Sequence, residues 1–384
     1  MKRFVLWALA LIMLIGFGGT ALAEQPTAGL GAQTQSYILM DAGSGDVLSE
    51  KDADTQRPCA SVVKCMTLLL VLEAENAGKL LPGDTVTVSA HAASMGGTQV
   101  FLDAHSEHKV EDLVKAVVVC SANDAAVALA EKVAGSEEAF VQMMNKKAGV
   151  MGLNAQFKNA SGLHAEGQTM SARDIAEVCQ ALVQYDLFFK WSGIWMDHYV
   201  HPGGRETEMV NTNRMVRYFD GCDGVCTGSS DAAGYCVAAT AKRSGGRFIY
   251  VGLNAPGSSA RFDDAAKALD FAFSGFSAKT VVRKGQQLGK NLEVVGGALP
   301  NVNVYAADDF AMLVEKGREK DIEKELVLLE EVNAPLKEGD VVGYLRVLLG
   351  GEEVGRVDAI VKRNVEALDF ANAIRRILMW WLFG

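Results

Sequence analysis

The chain has 384 residues, a hydrophobic content of 49% and a formal net charge of −10 at pH 7. This length and hydrophobicity suffice for more than one folded domain with a buried core. The negative charge argues against nucleic acid as a partner, because affinity for nucleic acid comes from Lys and Arg side chains that neutralise phosphates.

The first predicted element is an export signal. Met1-Lys2-Arg3 is basic, residues Phe4 to Gly19 are almost wholly apolar, and Ala21-Leu22-Ala23 provides a small-x-small cleavage pattern. A short apolar run with these flanks predicts a signal peptide over residues 1–23, with an uncleaved anchor as the alternative. The mature chain is then expected to begin near Glu24 and to act on the extracytoplasmic face of the membrane or in the cell wall.

Strand and helix patterns then follow in an order typical of an α+β domain. Strand patterns occur near both ends of this region, at Ser36–Met40, Val47–Glu50, around Val225, at Gly234–Ala241 and at Phe248–Leu253. Helical patterns lie mostly between them, at Val62–Ala74, Val110–Val119, Ala122–Ala134, Glu137–Met151 and Ala172–Tyr185, with a closing helix at Asp263–Phe273. This order favours a layered α+β domain over an alternating βαβ sheet.

The character of the sequence changes after Gly275. Short alternating segments with Gly and Pro turns fill Val281 to Val361, which predicts a small all-β domain. We therefore expect a first domain over residues 30–275, a β domain over 276–363 and a terminal segment over 364–384.

The terminal segment has the pattern of an amphipathic helix. Apolar residues recur at helical spacing, Arg375 and Arg376 lie beside them, and Met379-Trp-Trp-Leu-Phe383 ends the segment. The charges disfavour a membrane span. Trp residues and Arg suit a helix in the membrane interface, and packing back on the β domain is the alternative.

Ser61-Val-Val-Lys64 is the first candidate catalytic motif. A serine hydroxyl needs a nearby base to attack, and residues i and i+3 share one face of a helix. Apolar surroundings lower the pKa of a lysine, so that a neutral amine can take the hydroxyl proton. A Ser-x-x-Lys match is weak by itself, but Pro58 before it and the apolar helix after it strengthen it.

Ser121-Ala-Asn123 is the second candidate element. Its hydroxyl can relay a proton to a leaving amine, and its amide can hold Lys64 or a substrate carbonyl. A helix N-cap at Ser121 is the structural alternative, and both roles are compatible.

Asp223 to Gly228 is the third element and reads as an edge strand. Gly228 lets a ligand backbone approach closely, and Thr227 can donate to a carboxylate. The N–H of Ser229 and that of Ser61 can form an oxyanion hole. An ordinary strand end is the alternative for an isolated Thr-Gly pair.

These elements together resemble the D-alanyl-D-alanine carboxypeptidases, low-molecular-mass penicillin-binding proteins that trim peptidoglycan stem peptides. The segments Ala60–Thr67 and Ser121–Glu131 are similar to the family's first two active-site segments. Asn159–His164, Asn211–Asn213 and Ala233–Arg243 resemble further family segments, and the likeness extends through both C-terminal parts.

The resemblance implies an architecture and a set of partners. The architecture is a penicillin-binding, β-lactamase-like transpeptidase domain (an antiparallel sheet with a helical cluster), a small all-β domain and a C-terminal amphipathic helix. The implied partners are peptidoglycan stem peptides, β-lactams as covalent inhibitors, and a membrane surface contacted by the terminal helix. No cofactor or metal is implied.

The resemblance also implies residue roles. Ser61 is the acyl-enzyme nucleophile, Lys64 the general base, and Ser121 with Asn123 the pair that shuttles protons. The residues implied beside the substrate's terminal carboxylate are Thr227, Gly228 and Arg261.

Cys226 departs from the family pattern, which has Lys before Thr-Gly. A thiol lacks the fixed positive charge that attracts a carboxylate. Loss of one partner of a buried charged hydrogen bond costs about 2–5 kcal/mol, or roughly 30- to several-thousand-fold in rate. Arg261 is expected to retain part of the charge, whereas strand alternation gives no reason to aim Lys242 at the site.

Three functions therefore stay open from the sequence. The first is a serine D-alanyl-D-alanine carboxypeptidase, attenuated by Cys226. The second is a weak or inactive homologue that binds or scaffolds peptidoglycan. The third is a β-lactamase or esterase on the same fold, for which Glu166 is a candidate hydrolytic residue.

The remaining Cys and His residues give no metal motif. Six of the seven cysteines lie within ten residues of the three elements. We expect them to fill tight apolar positions, with disulfide or redox roles as the alternative. The histidine pairs His105/His108 and His198/His201 lack zinc-site spacing and are expected on the surface or in loops.

Overall fold

The computed structural model describes residues 29–244 and 246–383. The predicted signal peptide at residues 1–23 lies outside the described residues. Every helix and strand below belongs to one compact unit, Gly31–Gly384.

The first half of this unit is a mixed α/β layer. Its strands are β1 (Ser36–Asp41), β2 (Val47–Lys51), β3 (Thr85–Thr87), β4 (Glu107–Lys109), β5 (Met196–Val200), β6 (Glu206–Val210), β7 (Cys222–Ser230), β8 (Gly234–Arg243) and β9 (Gly246–Ala255). Its helices are α1 (Lys64–Asn76), α2 (Ala90–Ala93), α3 (Val110–Cys120), α4 (Asn123–Ala134), α5 (Glu137–Met151), α6 (Ala172–Leu182), α7 (Asp186–Ser192), α8 (Met215–Tyr218) and α9 (Ser258–Gly275). A 3-10 turn, Ala60–Val63, precedes α1.

The central sheet has the order β2-β1-β9-β8-β7, and all neighbouring strands are antiparallel. Strand β1 is buried at all six positions, so both of its faces are covered. Helix α6 packs on β1 and β9, and α9 packs on β8 and β9. Strand β7 ends the sheet on one side, and one edge of β7 is therefore left for other contacts.

Helix α1 lies inside the helical cluster and carries the start of the predicted catalytic motif. Its first nine residues, Lys64 to Leu72, are all buried, as expected for a helix that is apolar on every side. It packs against α3, α4, α5 and α6. The predicted helix over Val62–Ala74 is thus shifted by two residues, because the 3-10 turn occupies Ala60–Val63.

Helices α3, α4 and α5 agree with the predicted bounds to within one residue, whereas α9 begins at Ser258, five residues before the predicted start at Asp263. The helix predicted over Ala172–Tyr185 ends at Leu182, and a second short helix, α7, begins at Asp186. Asp186 lies in the first turn of α7, where a negative charge favours the helix dipole.

The C-terminal strands form a separate all-β part, as expected. They are β10 (Phe276–Val282), β11 (Gln287–Glu293), β12 (Asn301–Ala306), β13 (Phe310–Glu315), β14 (Ile322–Leu328), β15 (Val341–Leu349) and β16 (Glu352–Val361). One sheet has the order β11-β12-β16-β15-β14, and β10 pairs with β13. Small apolar clusters around Val304 and Val347 form the interior.

A last helix, α10 (Phe370–Phe383), ends the described chain. Several of its apolar side chains are exposed, including Phe370, Ile377 and Trp381, the last at 77%. No helix within the described ranges has both the length and the apolar character needed to cross a membrane.

Candidate active site

A cleft of about 600 Å³ lies along the exposed edge of β7. Six of the predicted site residues line it, namely Ser61, Ser121, Thr227, Gly228, Ser229 and Arg261. The other three, Lys64, Asn123 and Cys226, are buried next to the cleft rather than in its wall. The three sequence elements are therefore brought together, although they are far apart in the chain.

The nucleophile candidate and its base lie within hydrogen-bond distance. Nζ of Lys64 is 3.1 Å from Oγ of Ser61 and 2.5 Å from the carbonyl oxygen of Ser161. Lys64 is only 1% exposed, and this burial lowers the pKa of its ammonium group to about 7. A neutral amine can donate to the Ser161 carbonyl and accept the Ser61 proton at the same time.

The contact between Lys64 and the Ser161 carbonyl could not be predicted from the sequence.

Two glycines allow the surrounding segments to reach the nucleophile. A Cβ at Gly162, where φ is +79°, would lie 2.3 Å from the Ala60 carbonyl oxygen. A Cβ at Gly228 would lie 2.8 Å from the Ser61 nitrogen, so β7 passes directly against the nucleophile's amide.

Ser121 lies at the junction of α3 and α4. It ends α3 in the left-handed conformation, with φ 61° and ψ 38°. The alternative role as an N-cap is wrong, because Ala122 precedes α4 and no side chain caps that helix. The Ser121 hydroxyl is buried and has no hydrogen-bond partner in the described part of the chain, so it is available to a ligand.

Two backbone carbonyls hold Asn123 in its buried position next to the cleft. Its Nδ2 donates to the Gly96 carbonyl at 2.7 Å, and its backbone N–H donates to the Thr98 carbonyl. The side chain therefore does not bond to Lys64. Its Oδ1 is buried and, among residues 29–244 and 246–383, has no hydrogen-bond partner.

Cys226 occupies the β7 position that the sequence marked as unusual. Its thiol is buried and lies 2.9 Å from the sulfur of Cys65 on α1. The hydrogen bond to Cys65, together with burial, raises the pKa of the Cys226 thiol well above its usual range. Cys226 is therefore a neutral group facing the core, and it brings no charge to the cleft.

Arg261 is a buried cation at one end of the cleft. Its Nη1 donates to the Gly228 carbonyl at 3.0 Å and to the Cys236 carbonyl at 3.1 Å. Burial, with a smaller effect of the positive charge on Arg214, lowers the pKa of Arg261 below its usual range. Its Nε has no hydrogen-bond partner among the described residues.

Arg214 also lines the cleft, and the sequence had given no signal for it. It directly follows Asn213, whose Nδ2 donates to the Gly224 carbonyl at 2.8 Å and so fixes this loop against β7. None of the described residues that line the cleft is acidic. The cleft therefore combines two cations with uncharged donors, which suits an anionic ligand.

The remaining sequence candidates lie elsewhere. Glu166 is exposed and is not among the described lining residues. His105 and His198 are exposed and His201 lies in the loop between β5 and β6, as expected, although His201 is buried and contacts Thr207. His108 differs from the expectation, because it is buried in β4 and hydrogen-bonds to Tyr199. All seven cysteines are buried thiols, and the described residues contain no His, Cys, Asp and Glu cluster suited to a metal.

The pKa of Lys64 predicts a pH profile for acylation. If Lys64 is the base, as the sequence predicts, it must be neutral to accept a proton, and the second-order rate of acylation by a β-lactam should fall about tenfold per pH unit below pH 7. The rate should be constant above about pH 8. Stopped-flow or gel-based labelling from pH 5.5 to 8.5 tests this, with circular dichroism as the folding control. A profile that is flat across pH 7 would contradict it.

Comparisons with known proteins agree with this geometry. The sequence model of the D-alanyl-D-alanine carboxypeptidase family matches residues 21–257, and that of the penicillin-binding protein 5 C-terminal domain matches residues 276–367. The chain is 35% identical over 386 residues to the D-alanyl-D-alanine carboxypeptidase DacF of Bacillus subtilis, and the match covers 99% of each protein.

Solved structures give the same result. Penicillin-binding protein 5 from Haemophilus influenzae matches with a TM-score of 0.77 at 29% identity, over 87% of this chain and 98% of that one. Penicillin-binding protein D2 from Listeria monocytogenes, solved in a cefotaxime-bound form, matches with a TM-score of 0.57 at 28% identity, over 65% of this chain and 100% of that one. The resemblance and the expected fold of an α+β penicillin-binding domain followed by an all-β domain are thus confirmed, and the chain belongs to the D-alanyl-D-alanine carboxypeptidase family of serine hydrolases.

Proposed function

We propose that this carboxypeptidase removes the terminal D-Ala of peptidoglycan stem peptides through an acyl-enzyme on Ser61, with Lys64 as the general base. The observation that carries these roles is the 3.1 Å contact between Ser61 Oγ and Nζ of the buried Lys64, whose pKa is lowered to about 7. Lys64 takes the hydroxyl proton as Oγ attacks the carbonyl carbon of the penultimate D-Ala.

The remaining roles follow the course of the reaction. The N–H groups of Ser61 and Ser229 donate hydrogen bonds to the attacked carbonyl oxygen and stabilise the negative charge that develops on it. Ser121 passes a proton to the leaving amine, supported by its unpaired buried hydroxyl, and Asn123 Oδ1 accepts from a substrate amide. D-Ala leaves, and water then hydrolyses the ester on Ser61 by the reverse proton route.

The substrate's terminal carboxylate is the group most affected by Cys226. We assign its recognition to Thr227, Gly228, Ser229 and Arg261, with Arg214 as a further cation at the rim. Because the neutral Cys226 thiol faces Cys65, the carboxylate lacks a cation from the β7 position. We therefore attribute the proposed attenuation to weaker binding of this carboxylate and not to a defective nucleophile.

The test measures acylation and product release separately. Fluorescent penicillin labelling and D-Ala release from a stem pentapeptide are compared for wild type, Ser61→Ala and Ser258→Ala. Ser258 also lines the cleft and serves as the matched serine control. Wild type and Ser258→Ala should label and release D-Ala, whereas Ser61→Ala should do neither. Labelling of Ser61→Ala at the wild-type rate would rule out Ser61 as nucleophile.

The non-catalytic alternative is favoured by one observation, the loss of the β7 cation at Cys226. That alternative predicts penicillin or muropeptide binding without D-Ala release above the Ser61→Ala background. Measurable release by wild type, at any rate well above that background, excludes it.

Arg214 gives a more selective test of carboxylate recognition. Replacing it by Gln should lower kcat/KM for a substrate with a free terminal carboxylate about fivefold, the effect of an exposed ion pair of about 1 kcal/mol. The loss should shrink at high salt and be absent for a neutral acyl ester. Arg356→Gln is the matched control, because Arg356 pairs with Glu353 in the β part and is not among the described residues that line the cleft. Equal losses for both substrates would contradict the assignment.

We also propose that residues 364–384 attach the protein to the extracytoplasmic membrane surface. The exposed apolar side chains of α10 support this, because water-exposed groups of this size favour burial in a lipid interface.

Vesicle sedimentation tests the attachment. The full chain should bind vesicles that contain anionic lipid, and Ile377→Glu/Trp381→Glu should lose most of that binding. Lys290→Gln/Lys337→Gln, in the β part, changes the net charge by the same two units and controls for this difference in charge. Undiminished binding by the α10 variant would contradict the proposal.

A further inference from the structure

Three cysteines meet in the core directly behind the catalytic cleft. Cys65 lies on α1, Cys226 on β7 and Cys179 on α6. The Cys65 and Cys226 sulfurs are 2.9 Å apart, and the Cys179 and Cys65 sulfurs are 3.8 Å apart. The first pair therefore needs to close by only about 0.9 Å to reach the disulfide length of about 2.05 Å.

The position of this pair connects the two sides of the active site. Cys65 directly follows Lys64, and Cys226 directly precedes Thr227. Neither is among the described residues that line the cleft. A covalent link here would join the helix that holds the base to the strand that borders the substrate, without placing any atom in the cleft.

We propose that Cys65 and Cys226 are a disulfide-forming pair that links α1 to β7 when the protein meets a disulfide donor. The donor is a thiol-exchange protein or a small disulfide. One protein thiolate attacks a donor sulfur, forming a mixed disulfide and releasing the first donor thiolate. The second protein thiolate then attacks the bound protein sulfur, forming the Cys65–Cys226 bond and releasing the second donor thiolate. The two protein thiols are oxidised, and the donor disulfide is reduced to two thiols.

The timing of this reaction follows from burial. Both thiols are shielded from solvent in the folded protein, and thiol exchange requires access and a thiolate. The bond therefore forms while α1 and β7 come together during folding, or after partial unfolding. Once formed, it is protected from reduction by the same burial.

The link should stabilise the fold strongly because it closes a long loop. Cys65 and Cys226 are 161 positions apart in the chain. Because the disulfide would constrain so long a segment of the unfolded chain, we expect Tm to increase by roughly 10 °C. Penicillin labelling should then persist at temperatures where the reduced protein has lost it.

Peptide mapping tests the proposal on the intact wild-type chain. The protein is refolded with oxidised and reduced glutathione, blocked with iodoacetamide under denaturing conditions, and digested without reduction. The expected result is one cross-linked peptide pair containing Cys65 and Cys226, with the other cysteines alkylated, and a Tm higher than that of protein refolded in dithiothreitol. Seven alkylated thiols, or a link from Cys65 to Cys179 instead, would overturn the proposal.

Variants separate this pair from the other cysteines. Cys226→Ser should abolish the cross-link and the dithiothreitol-sensitive part of the Tm. Cys222→Ser is the matched control on the same strand, because its sulfur contacts Gly224 and Asn213 rather than another cysteine. It should keep the cross-link. Because mapping of the wild-type chain needs no variant, misfolding of Cys226→Ser leaves the test intact. The result is also independent of whether Ser61 turns over substrate.

Discussion

Replacing Lys64 by Met should lower the second-order rate of Ser61 acylation by about 10³-fold, within the range of 10²- to 10⁴-fold for general acid–base catalysis. Met has a similar length and shape, and Lys64 is almost fully buried with a pKa lowered to about 7. The variant therefore removes the proton acceptor without placing a new charge in the core. Ser61 keeps its position in the 3-10 turn but has no base within reach.

The variant has one expected structural cost. The Ser161 carbonyl loses the 2.5 Å contact to Nζ, and an unsatisfied buried acceptor costs about 1–3 kcal/mol. Burying an apolar side chain instead of a lysine offsets part of this loss. Chemical unfolding should consequently show a stable, cooperatively folded protein.

Labelling kinetics with fluorescent penicillin check this prediction. Lys132→Met, on the exposed side of α4, is the matched control and should acylate at the wild-type rate. The residual rate of Lys64→Met should also show no titration near pH 7. An acylation rate within tenfold of wild type would mean that another group acts as the base.

The contact between Ser61 and Lys64 illustrates what a sequence can predict about this site. Their spacing of three residues brings them to one face of any helical turn, so a two-residue error in the start of α1 did not matter. Most strands of the central sheet and the all-β C-terminal part were likewise predictable from local alternation, whereas the antiparallel arrangement came from the family resemblance. These features depend on neighbours in the chain.

Other parts of the site depend on contacts between distant segments and could not be predicted. The Ser161 carbonyl reaches Lys64 from 97 positions away, and a backbone carbonyl has no signature in the sequence. Ser121 preceded a helix pattern and so resembled an N-cap, although the turn between α3 and α4 places it in a left-handed conformation. Strand alternation gave no information on which cysteine would meet Cys226.

Replacing Cys226 by Lys should raise kcat/KM for a peptide with a free terminal carboxylate by about 30-fold or more. Loss of one partner of a buried charged hydrogen bond costs about 2–5 kcal/mol, and the lower end of this range corresponds to about 30-fold in rate. We use the lower end because Arg261 and Arg214 already supply positive charge to the cleft. The new ammonium group must turn away from the core position that the Cys226 thiol occupies and reach the cleft, which Thr227 and Ser229 line. Turnover of a neutral acyl ester should change little.

A second effect distinguishes this charge from a simple change in packing. A cation at position 226 lies close to Lys64, because the sulfur of Cys226 contacts that of Cys65, the residue next to Lys64. Like charges disfavour protonation, so the pKa of Lys64 should fall below about 7 and the acidic limb of the pH profile should move to lower pH.

Cys226→Met removes the contact with Cys65 without adding charge, and it is the matched control for both effects. If Cys226→Met reproduces the gain, packing against Cys65 limits the wild-type enzyme. If neither variant changes carboxylate selectivity, the arginines already hold the carboxylate and the missing lysine does not attenuate this enzyme.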